Sequence, residues 1–436
     1  MKYFTQRLGF LWFVVALVSS SFTDHPHNNI TISHLHRHPK THKRLLAYPF
    51  IKQDKNQISA YRGYSMRQFY SALDSLSNGH KHKVNIIHIG DSHIQADFFS
   101  GHLREMLQTD SAFGNGGRGL VFPYKAVRTN SPDNLKITYT GSWEGCRNIY
   151  RNKKCDWGLS GITATTYSPQ ATLTIDPNSK ASLPYAFTKV KIFYDTRDVT
   201  NFEVTLLNEE GIRAVKMEDG YVWFELKQPA TSLSIGFEKT GAGQHHFTLQ
   251  GITLENDQPG IQYHAAGVNG AEVTSVLRMP ALETHISVLK PDLVIISLGT
   301  NDAFRSLDAK AFKRNYGELI QRIRRASPAT SILLTTPADN LRGRKYPNPD
   351  NARAVKIIAD LAEETGVAVW DLYEIMGGLK SINRWYASRL AGIDRIHFTP
   401  DGYTLQAELL YDALMNDYEI HKRQKGTGPF TANTSE

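Results

Sequence analysis

The stretch Ile86-Ile87-His88-Ile89-Gly90-Asp91-Ser92-His93 decides how this chain is interpreted. Its apolar first half predicts a buried strand, and Gly90 predicts an abrupt turn at the end of that strand. Residues 94–107 then have a helical pattern. The sequence therefore predicts a serine at a strand-to-helix turn, where parallel-sheet enzymes present nucleophiles and where free backbone N–H groups favour developing negative charge. Serine is also a common helix N-cap, so this stretch alone leaves both interpretations open.

Three later segments contain further candidate site residues. Residues 265–273 contain Gly267 and Gly270, residues 291–302 form an apolar strand followed by Asn301, and residues 394–403 contain Asp394 and His397. Together with Ser92, in this chain order, they resemble the SGNH (GDSL-type) hydrolases, a family named for Ser, Gly, Asn and His in four separate blocks. Each block alone has low specificity, but the ordered set has high specificity. The resemblance covers roughly residues 80–125 and 260–420.

The chemistry of serine catalysis assigns roles to these residues. A serine hydroxyl is a poor nucleophile until a base takes its proton, and the base must be oriented by a third group. Asp394 precedes His397 by three residues, so one short loop can supply both the orienting carboxylate and the base for Ser92. Taken alone, Asp394 is better explained as a turn residue in a surface loop. The other three blocks make the catalytic interpretation the favoured one.

The resemblance also implies an oxyanion hole with three donors. These are the backbone N–H of Ser92, the backbone N–H of a glycine in the second block, and the side-chain amide of Asn301. Gly270 fits the family spacing better, and Gly267 remains the alternative. Three neighbouring residues are expected to have other roles: His93 lines the pocket or caps a helix, Asp302 is structural, and Asp91 is not a catalytic candidate.

A narrower resemblance involves the first block and the glycine-rich run Phe113-Gly-Asn-Gly-Gly-Arg-Gly-Leu-Val-Phe-Pro123. With the second block, they are similar to bacterial peptidoglycan O-acetyl esterases. This resemblance implies a cell-envelope enzyme that removes acetyl groups from a cell-wall glycan and needs neither metal nor organic cofactor. It also implies a β-rich domain, like a carbohydrate-binding module, between the first two blocks. An esterase or O-acetyltransferase for another acetylated polysaccharide, and a non-catalytic glycan-binding protein, remain alternatives.

The expected fold class is α/β, a doubly wound parallel sheet of the SGNH or flavodoxin-like type with an inserted jelly-roll-like β-sandwich. The insert is expected because short alternating strands recur between residues 136 and 254, whereas strands and helices alternate afterwards, with one helix expected over 271–289. The expected segments are a signal peptide (1–21), a flexible His-rich linker (22–48), the first hydrolase part (49–125), the β-insert (126–262), the second hydrolase part (263–421) and a disordered tail (422–436).

The N-terminus and the net charge predict location and partners. Lys2 and Arg7 precede the apolar run 8–18 and three serines, which is typical of a secretion signal. The run is short for a bilayer span, so membrane contact is expected only if this segment stays uncleaved. The expected compartment is the periplasm or cell envelope. The formal charge of +8 suits an acidic polymer. Nucleic acid is not an expected partner because no binding motif is present, and the oligomeric state is left open.

Cysteines, aromatic residues and histidines add three smaller expectations. Cys146 and Cys155 are the two cysteines, and an oxidising compartment would allow them to close a small disulfide loop, although the sequence leaves open whether they are bridged. The irregular histidines between residues 25 and 42 are better explained as linker than as a metal site. Several aromatic residues of the insert have side chains able to stack on sugars, although core packing is favoured for each: Trp143, Trp157, Tyr167, Tyr221 and Trp223.

Overall fold

The computed structural model describes residues 44–60, 65–207 and 212–426. The strands are β1 Ile58–Ala60, β2 Lys83–Gly90, β3 Gly119–Val121, β4 Lys136–Thr140, β5 Trp143–Arg147, β6 Ile162–Thr166, β7 Gln170–Asp176, β8 Phe187–Phe193, β9 Glu203–Leu207, β10 Ile212–Glu218, β11 Tyr221–Ala230, β12 Leu233–Glu238, β13 Phe247–Leu249, β14 Gly251–Glu255, β15 Gly260–Gly267, β16 Leu293–Ser297, β17 Ser331–Thr335, β18 Leu341–Arg342, β19 Tyr346–Pro347 and β20 Ala368–Trp370. The α-helices are α1 Arg67–Ser77, α2 Ser92–Gln95, α3 Phe99–Thr109, α4 Val273–Leu277, α5 Leu282–Leu289, α6 Thr300–Phe304, α7 Ala309–Ala326, α8 Pro349–Thr365, α9 Leu372–Ile375, α10 Ile382–Ala387 and α11 Pro400–Gly426. Short 3-10 helices cover Gln53–Lys55 and Tyr124–Val127.

The central sheet has the strand order β1-β20-β17-β16-β2-β15. All neighbouring pairs are parallel except β1 with β20, which is an antiparallel pair at one edge. The five parallel strands follow the flavodoxin-like order. From β2 the chain first adds β15 on one side and then adds β16, β17 and β20 on the other side, so the topological switch point lies beside β2. Ligands of such sheets bind beyond the carboxyl ends of the strands at this switch point. The predicted fold class is confirmed, and the antiparallel edge strand is an addition to it.

Alternate residues of the central strands face two different apolar layers. Ile86 and Ile295 pack on one side with α1, α3 and α11, whereas Ile87 and Val294 pack on the other side with α5, α7 and α8. This alternation arises because successive side chains of a strand point to opposite faces. Near-continuous apolar strands are therefore expected in a sheet that is covered on both faces.

The β-rich region between the first two blocks consists mainly of antiparallel sheets ordered β10-β11-β8-β14-β3, β4-β7-β12-β9 and β13-β6-β5. Its expected boundaries at residues 126 and 262 need correction. Strand β3 already pairs with β14 of this region, and β15 belongs to the central sheet from Gly260 onward. The displaced boundaries reflect hydrogen bonding to distant strands, which local sequence pattern does not reveal.

The β-rich region shares its apolar core with the central sheet. Ile192, Phe224 and Leu254 belong to the same buried cluster as Ile87 and Val294. The expected sandwich aromatics divide accordingly: Trp143 and Trp157 are buried, Tyr221 and Trp223 are partly buried, and Tyr167 is exposed. The apolar core of the β-rich region is therefore continuous with the apolar layer on one side of the hydrolase sheet.

Four other expectations about segments also need correction. The helix expected over residues 271–289 is divided into α4 and α5 before and after Pro280, since proline disrupts a helix interior. The helix expected after Ser92 is broken at Asp97, which has a left-handed φ of 54°. Helix α11 extends into the expected tail, and the expected linker ends early because Leu45 is buried. The histidines between residues 25 and 42 and the expected signal lie outside the described residues. No described helix is both long and apolar enough to cross a membrane.

Candidate active site

Ser92 lies at the carboxyl end of β2, where the chain turns into the single-turn helix α2. Asp91 caps this helix, because its carboxylate accepts a hydrogen bond from the backbone N–H of His93 at 3.0 Å. Gly90 is required by close packing: an added Cβ would lie 2.3 Å from Cγ1 of Ile94. The turn therefore holds the Ser92 hydroxyl in a defined position at the sheet edge.

Ser92, His397 and Asp394 form a continuous hydrogen-bonded chain. Oγ of Ser92 lies 2.8 Å from Nε2 of His397, and Nδ1 of His397 lies 2.7 Å from Oδ2 of Asp394. A carboxylate can only accept, so Nδ1 of His397 carries a proton and Nε2 of a neutral ring accepts from Ser92. This is the tautomer that a general base for a serine nucleophile requires.

The loop that carries Asp394 and His397 is held by its own hydrogen bonds. Oδ1 of Asp394 accepts from the backbone N–H groups of Ile396 and His397, both at 3.0 Å. Burial acts to raise the pKa of Asp394, but these bonds and the His397 imidazole outweigh it and lower the pKa below its ordinary value. The Arg395 guanidinium lies 3.5 Å from the centroid of the Tyr386 ring, which anchors the loop from outside. Asp394 is therefore kept as a carboxylate beside the imidazole.

The two glycines of the second block have different environments. An added Cβ on Gly267 would lie 2.2 Å from the backbone nitrogen of Gln95, so this glycine allows β15 to pack against α2. Gly270 lies in a turn with a φ of 81°, and its neighbour Ala271 donates to the Val268 carbonyl at 2.9 Å. Within the described ranges the N–H of Gly270 has no hydrogen-bond acceptor. The N–H of Gly270 is thus available to an oxyanion, the role that the family spacing predicts for it.

Asn301 lies in the first turn of α6, just beyond β16. Its Nδ2 atom is 3.1 Å from Oδ2 of Asp91 and 3.0 Å from the carbonyl oxygen of Ala271. The Asp91 carboxylate thus holds both the nucleophile turn and the Asn301 amide. For Asn301 to donate to an oxyanion, one of its two present contacts must be shared or exchanged. Asp91 was not predicted to have this double role, although its place directly before Ser92 is the sequence signal for it.

Gln95 connects three parts of the site. It is buried, its Oε1 accepts from the N–H of Asn269 at 2.7 Å, and its Nε2 donates to Oγ1 of Thr129 at 3.1 Å and to the Asn130 carbonyl at 2.8 Å. The side chain thereby links the nucleophile helix, the second block and the segment leading into the β-rich region. A polar residue on the apolar face of a short helix was the available signal, and sequence analysis did not use it.

His93 and Asp302 support the site without joining the hydrogen-bonded chain. The His93 ring lies 5.3 Å from the His397 ring, and its Nδ1 is 2.8 Å from the Tyr403 hydroxyl. Burial lowers the pKa of His93, so it stays neutral and packs against His397. The helix-capping role considered for His93 belongs to Asp91. Asp302 accepts from the backbone N–H of Val273 at 3.2 Å, and burial raises the pKa of Asp302 to about 7.

The disulfide between Cys146 and Cys155 closes a loop of the β-rich region on the side of Gly270. Cδ1 of Ile149, in this loop, lies 3.9 Å from the position of a Cβ on Gly270. Among the described residues no group of three or more His, Cys, Asp or Glu side chains is arranged to hold a metal ion.

Fold, block order and side-chain geometry together define a serine hydrolase of the SGNH class. The family model for the GDSL-like lipase/acylhydrolase family matches residues 232–405, which include Gly270, Asn301, Asp394 and His397. A GDSL-like lipase/acylhydrolase domain is therefore present over these residues, which supports an SGNH-type esterase. Ser92 precedes the matched range because the β-rich region separates the first block from the others.

One solved structure extends the likeness beyond the matched range, and two others are similar over about a third of the chain. A peptidoglycan O-acetylesterase has 25% sequence identity and a TM-score of 0.69, with 83% of this chain and 99% of that chain covered. A lipase/acylhydrolase from Enterococcus faecalis has 24% identity and a TM-score of 0.29 over 38% of this chain and 77% of its own. An acetylxylan esterase from Geobacillus stearothermophilus has 20% identity and a TM-score of 0.28 over 36% of this chain and 72% of its own. No curated protein matches the sequence.

Proposed function

We propose that this protein is an exported serine esterase that hydrolyses O-acetyl esters on a cell-wall glycan, most specifically peptidoglycan. The observation that carries the proposal is the likeness to a peptidoglycan O-acetylesterase over 99% of that chain at a TM-score of 0.69. With 83% of this chain covered, the likeness includes much of the β-rich region as well as the hydrolase sheet. The hydrogen-bonded chain from Ser92 to Asp394 supplies the chemistry.

In the acylation step, Oγ of Ser92 attacks the acetyl carbonyl carbon while Nε2 of His397 takes the hydroxyl proton. The C–O bond to the sugar breaks as His397 returns this proton to the leaving sugar oxygen. Asp394 orients the imidazole and stabilises its positive charge during the transfer. A water molecule, deprotonated by His397, then hydrolyses the acetyl-enzyme and releases acetate.

The oxyanion formed at each step needs donors that point at the developing charge. The three donors are the backbone N–H groups of Ser92 and Gly270 and the side-chain amide of Asn301. They follow the carboxyl ends of the adjacent strands β2, β15 and β16. Each such donor contributes about 3 kcal/mol to transition-state stability. Asp91 fixes the Asn301 amide, and Gln95 fixes the turn that carries Gly270.

The accessibility of the site suits an ester on a large substrate. The side chains of His397 and Asp394 are 43% and 33% exposed. An acetyl group that projects from a polymer reaches such an open site without the polymer entering a deep pocket. The β-rich region adjoins this edge through Gln95 and the Cys146–Cys155 loop, so we assign to it the task of shaping the glycan-binding cleft.

The proposed location is the periplasm or cell envelope. The basic and apolar pattern of residues 1–21 is typical of a secretion signal. The Cys146–Cys155 disulfide supports an oxidising compartment, since such bonds are rare in the cytosol. A positive net charge of +8 favours an acidic cell-wall polymer as partner.

The deciding experiment measures acetate release from O-acetylated peptidoglycan by the wild-type protein and by Ser92→Ala. We expect release by the wild type and a loss of at least about 10⁴-fold in the variant, because the nucleophile is absent. Circular dichroism and thermal unfolding should be unchanged, since Ser92 is partly exposed at the turn. Acetate release by Ser92→Ala would overturn the assigned nucleophile. Hydrolysis of p-nitrophenyl acetate without release from peptidoglycan would overturn the assigned substrate.

A further inference from the structure

The loop closed by the disulfide, residues 146–155, is attached firmly to the hydrolase part of the molecule. We call it the disulfide loop. The backbone N–H of Asn148 donates to the Gly161 carbonyl at 2.9 Å, and its side-chain amide lies 3.1 Å from Sδ of Met279. Arg278 donates to the Asn148 carbonyl. These contacts, together with the disulfide, hold the loop in one place relative to helix α4 and the residues after it.

That place is beside the proposed oxyanion hole. Ile149 packs within 3.9 Å of a Cβ position on Gly270. The guanidinium of Arg151 bonds the carboxylate of Glu272 at 2.8 Å, and Glu272 caps α4 two residues beyond Gly270. A substrate whose acetyl oxygen contacts the Gly270 N–H would therefore have the adjoining part of its chain close to the disulfide loop.

The disulfide loop has an excess of positive charge. It carries four cations and no carboxylate of its own: Arg147, Arg151, Lys153 and Lys154. Arg151 forms an ion pair with the carboxylate of Glu272. Lys154 is exposed and has no ion pair among the described residues, and Lys153 is exposed beside the Tyr150 ring, 5.7 Å from its centroid. The pKa of Arg278 is lowered by burial and by the nearby Arg151, which shows how closely the cations are placed.

Tyr150 contacts two of these cations, Arg147 and Lys153. The Arg147 guanidinium lies 4.9 Å from the ring centroid and bonds the Tyr150 hydroxyl at 2.9 Å, while Lys153 lies near the same ring. The three side chains thus hold each other in position without using a carboxylate. Cations placed on an aromatic ring remain able to attract an anion from solution. Cations held in this way form a positively charged surface that suits an acidic group.

We propose that the disulfide loop binds a carboxylate of the glycan substrate next to the acetyl ester, and so selects anionic over neutral acetylated polymers. The inference rests on the proposed function, which supplies the glycan, but it concerns a different property. Lys153 and Lys154 are the specificity-determining cations, and Tyr150 with the disulfide positions them.

The test compares Lys153→Gln/Lys154→Gln with the wild type on two polymers, O-acetylated peptidoglycan and neutral acetylated xylan. We expect kcat/KM on peptidoglycan to fall about fivefold relative to kcat/KM on p-nitrophenyl acetate, mainly through KM. The charge-reversed variant Lys153→Glu/Lys154→Glu should fall further. Salt at about 0.5 M should remove most of the difference, because screening then acts over only a few ångströms.

The matched control is Lys227→Gln/Lys239→Gln, which removes two exposed lysines of the β-rich region outside the disulfide loop. This control should keep the wild-type ratio of the two specificity constants. An equal ratio in Lys153→Gln/Lys154→Gln and wild type, or an equal loss on acetylated xylan, would overturn the inference. Failure of the wild type itself to release acetate from peptidoglycan would instead contradict the proposed function.

A second variant keeps the test independent of the lysines. Cys146→Ser/Cys155→Ser should reduce the preference for peptidoglycan in the same direction, since an open loop no longer holds the cations beside Gly270. Unfolding should be followed in parallel so that activity is expressed per folded molecule. Full retention of the peptidoglycan preference in this variant would show that the disulfide does not position the binding loop.

Discussion

Two serine–histidine pairs lie in the hydrolase part of this protein, and they differ in what surrounds them. At the sheet edge, Ser92 bonds His397 at 2.8 Å, and His397 bonds the Asp394 carboxylate. Inside the sheet, Ser297 bonds His88 at 2.6 Å, and His88 bonds the Tyr263 hydroxyl, also at 2.6 Å. The distances alone would qualify either pair as an activated serine.

The environment separates the two pairs. His88 is fully buried, and burial lowers its pKa to about 3, so it stays neutral at any ordinary pH. Its other hydrogen-bond partner, besides Ser297, is the phenol of Tyr263, which does not stabilise a charged imidazole as a carboxylate does. His397 is 43% exposed and lies beside a carboxylate whose pKa is lowered. A serine–histidine pair becomes catalytic only where the imidazole can accept charge and the substrate can arrive.

The largest effect that tests this contrast is expected for Asp394→Asn. The asparagine can keep the two backbone bonds through its oxygen, but its amide would face Nδ1 of His397 and favour the wrong tautomer. We expect kcat on p-nitrophenyl acetate to fall by about 10²- to 10⁴-fold, with stability little changed.

Steady-state kinetics and thermal unfolding check this prediction together. A loss of less than about tenfold in a folded variant would mean that Asp394 is a turn residue only. In that case the carboxylate partner of His397 would not explain why this pair, rather than the pair of His88, is catalytic.

The next effect concerns Asn301. Asn301→Ala should lower kcat about 10²-fold and leave KM nearly unchanged, because the amide acts mainly on the transition state. Asn301→Asp serves as control: it keeps the shape but replaces the donor with an acceptor facing Asp91, so it should be at least as inactive. Activity near that of the wild type in Asn301→Ala would show that its contacts to Asp91 and Ala271 are only structural.

Sequence analysis could name candidate site residues because each lies next to an element with a clear local pattern, and the structure brings Ser92, His397 and Asp394 together. Ser92 ends an apolar strand, Asn301 ends another, and Asp394 and His397 lie three residues apart in one loop. Four blocks in a fixed chain order also restrict the fold. The doubly wound parallel sheet followed from the alternation of strands and helices, whereas its strand order is a finding of the structure.

The missed features all depend on contacts between distant segments. Gln95 bonds Asn130 and Asn269, and neither contact has a local pattern. The position of the disulfide loop beside Gly270 depends on how the β-rich region packs on the sheet. The early end of the expected linker depends on the burial of Leu45. Periodicity predicts which face of an element is apolar, but it does not identify the segment that covers this face.

A smaller effect is expected at the buried pair. His88→Phe keeps an aromatic side chain, although a larger one, but leaves the Tyr263 hydroxyl without its partner and removes one of the Ser297 bonds. We expect the free energy of unfolding to fall by about 1–3 kcal/mol, since buried polar groups are costly when unpaired. The kcat per folded molecule should stay within about threefold of the wild type. Urea unfolding with parallel kinetics measures both, and a 10²-fold loss of kcat without a loss of stability would make His88 part of the catalytic machinery.

The smallest effect is a pH dependence of stability at Asp302, which follows the Asn301 amide in the chain. Burial raises the pKa of Asp302 from 3.8 to about 7. A raised pKa means that the folded protein binds this proton more tightly than the unfolded chain, so its contribution to stability is lost as the pH rises from about 4 to 7. Asp302→Asn cannot ionise and should therefore gain about 2 kcal/mol relative to the wild type between pH 4.5 and pH 6. Urea unfolding of both proteins at the two pH values isolates this difference, because the other titrating groups are common to both. A constant difference across this range would show that Asp302 is already ionised in the folded protein, and that the polar layer around Asn301 tolerates a second carboxylate beside Asp91.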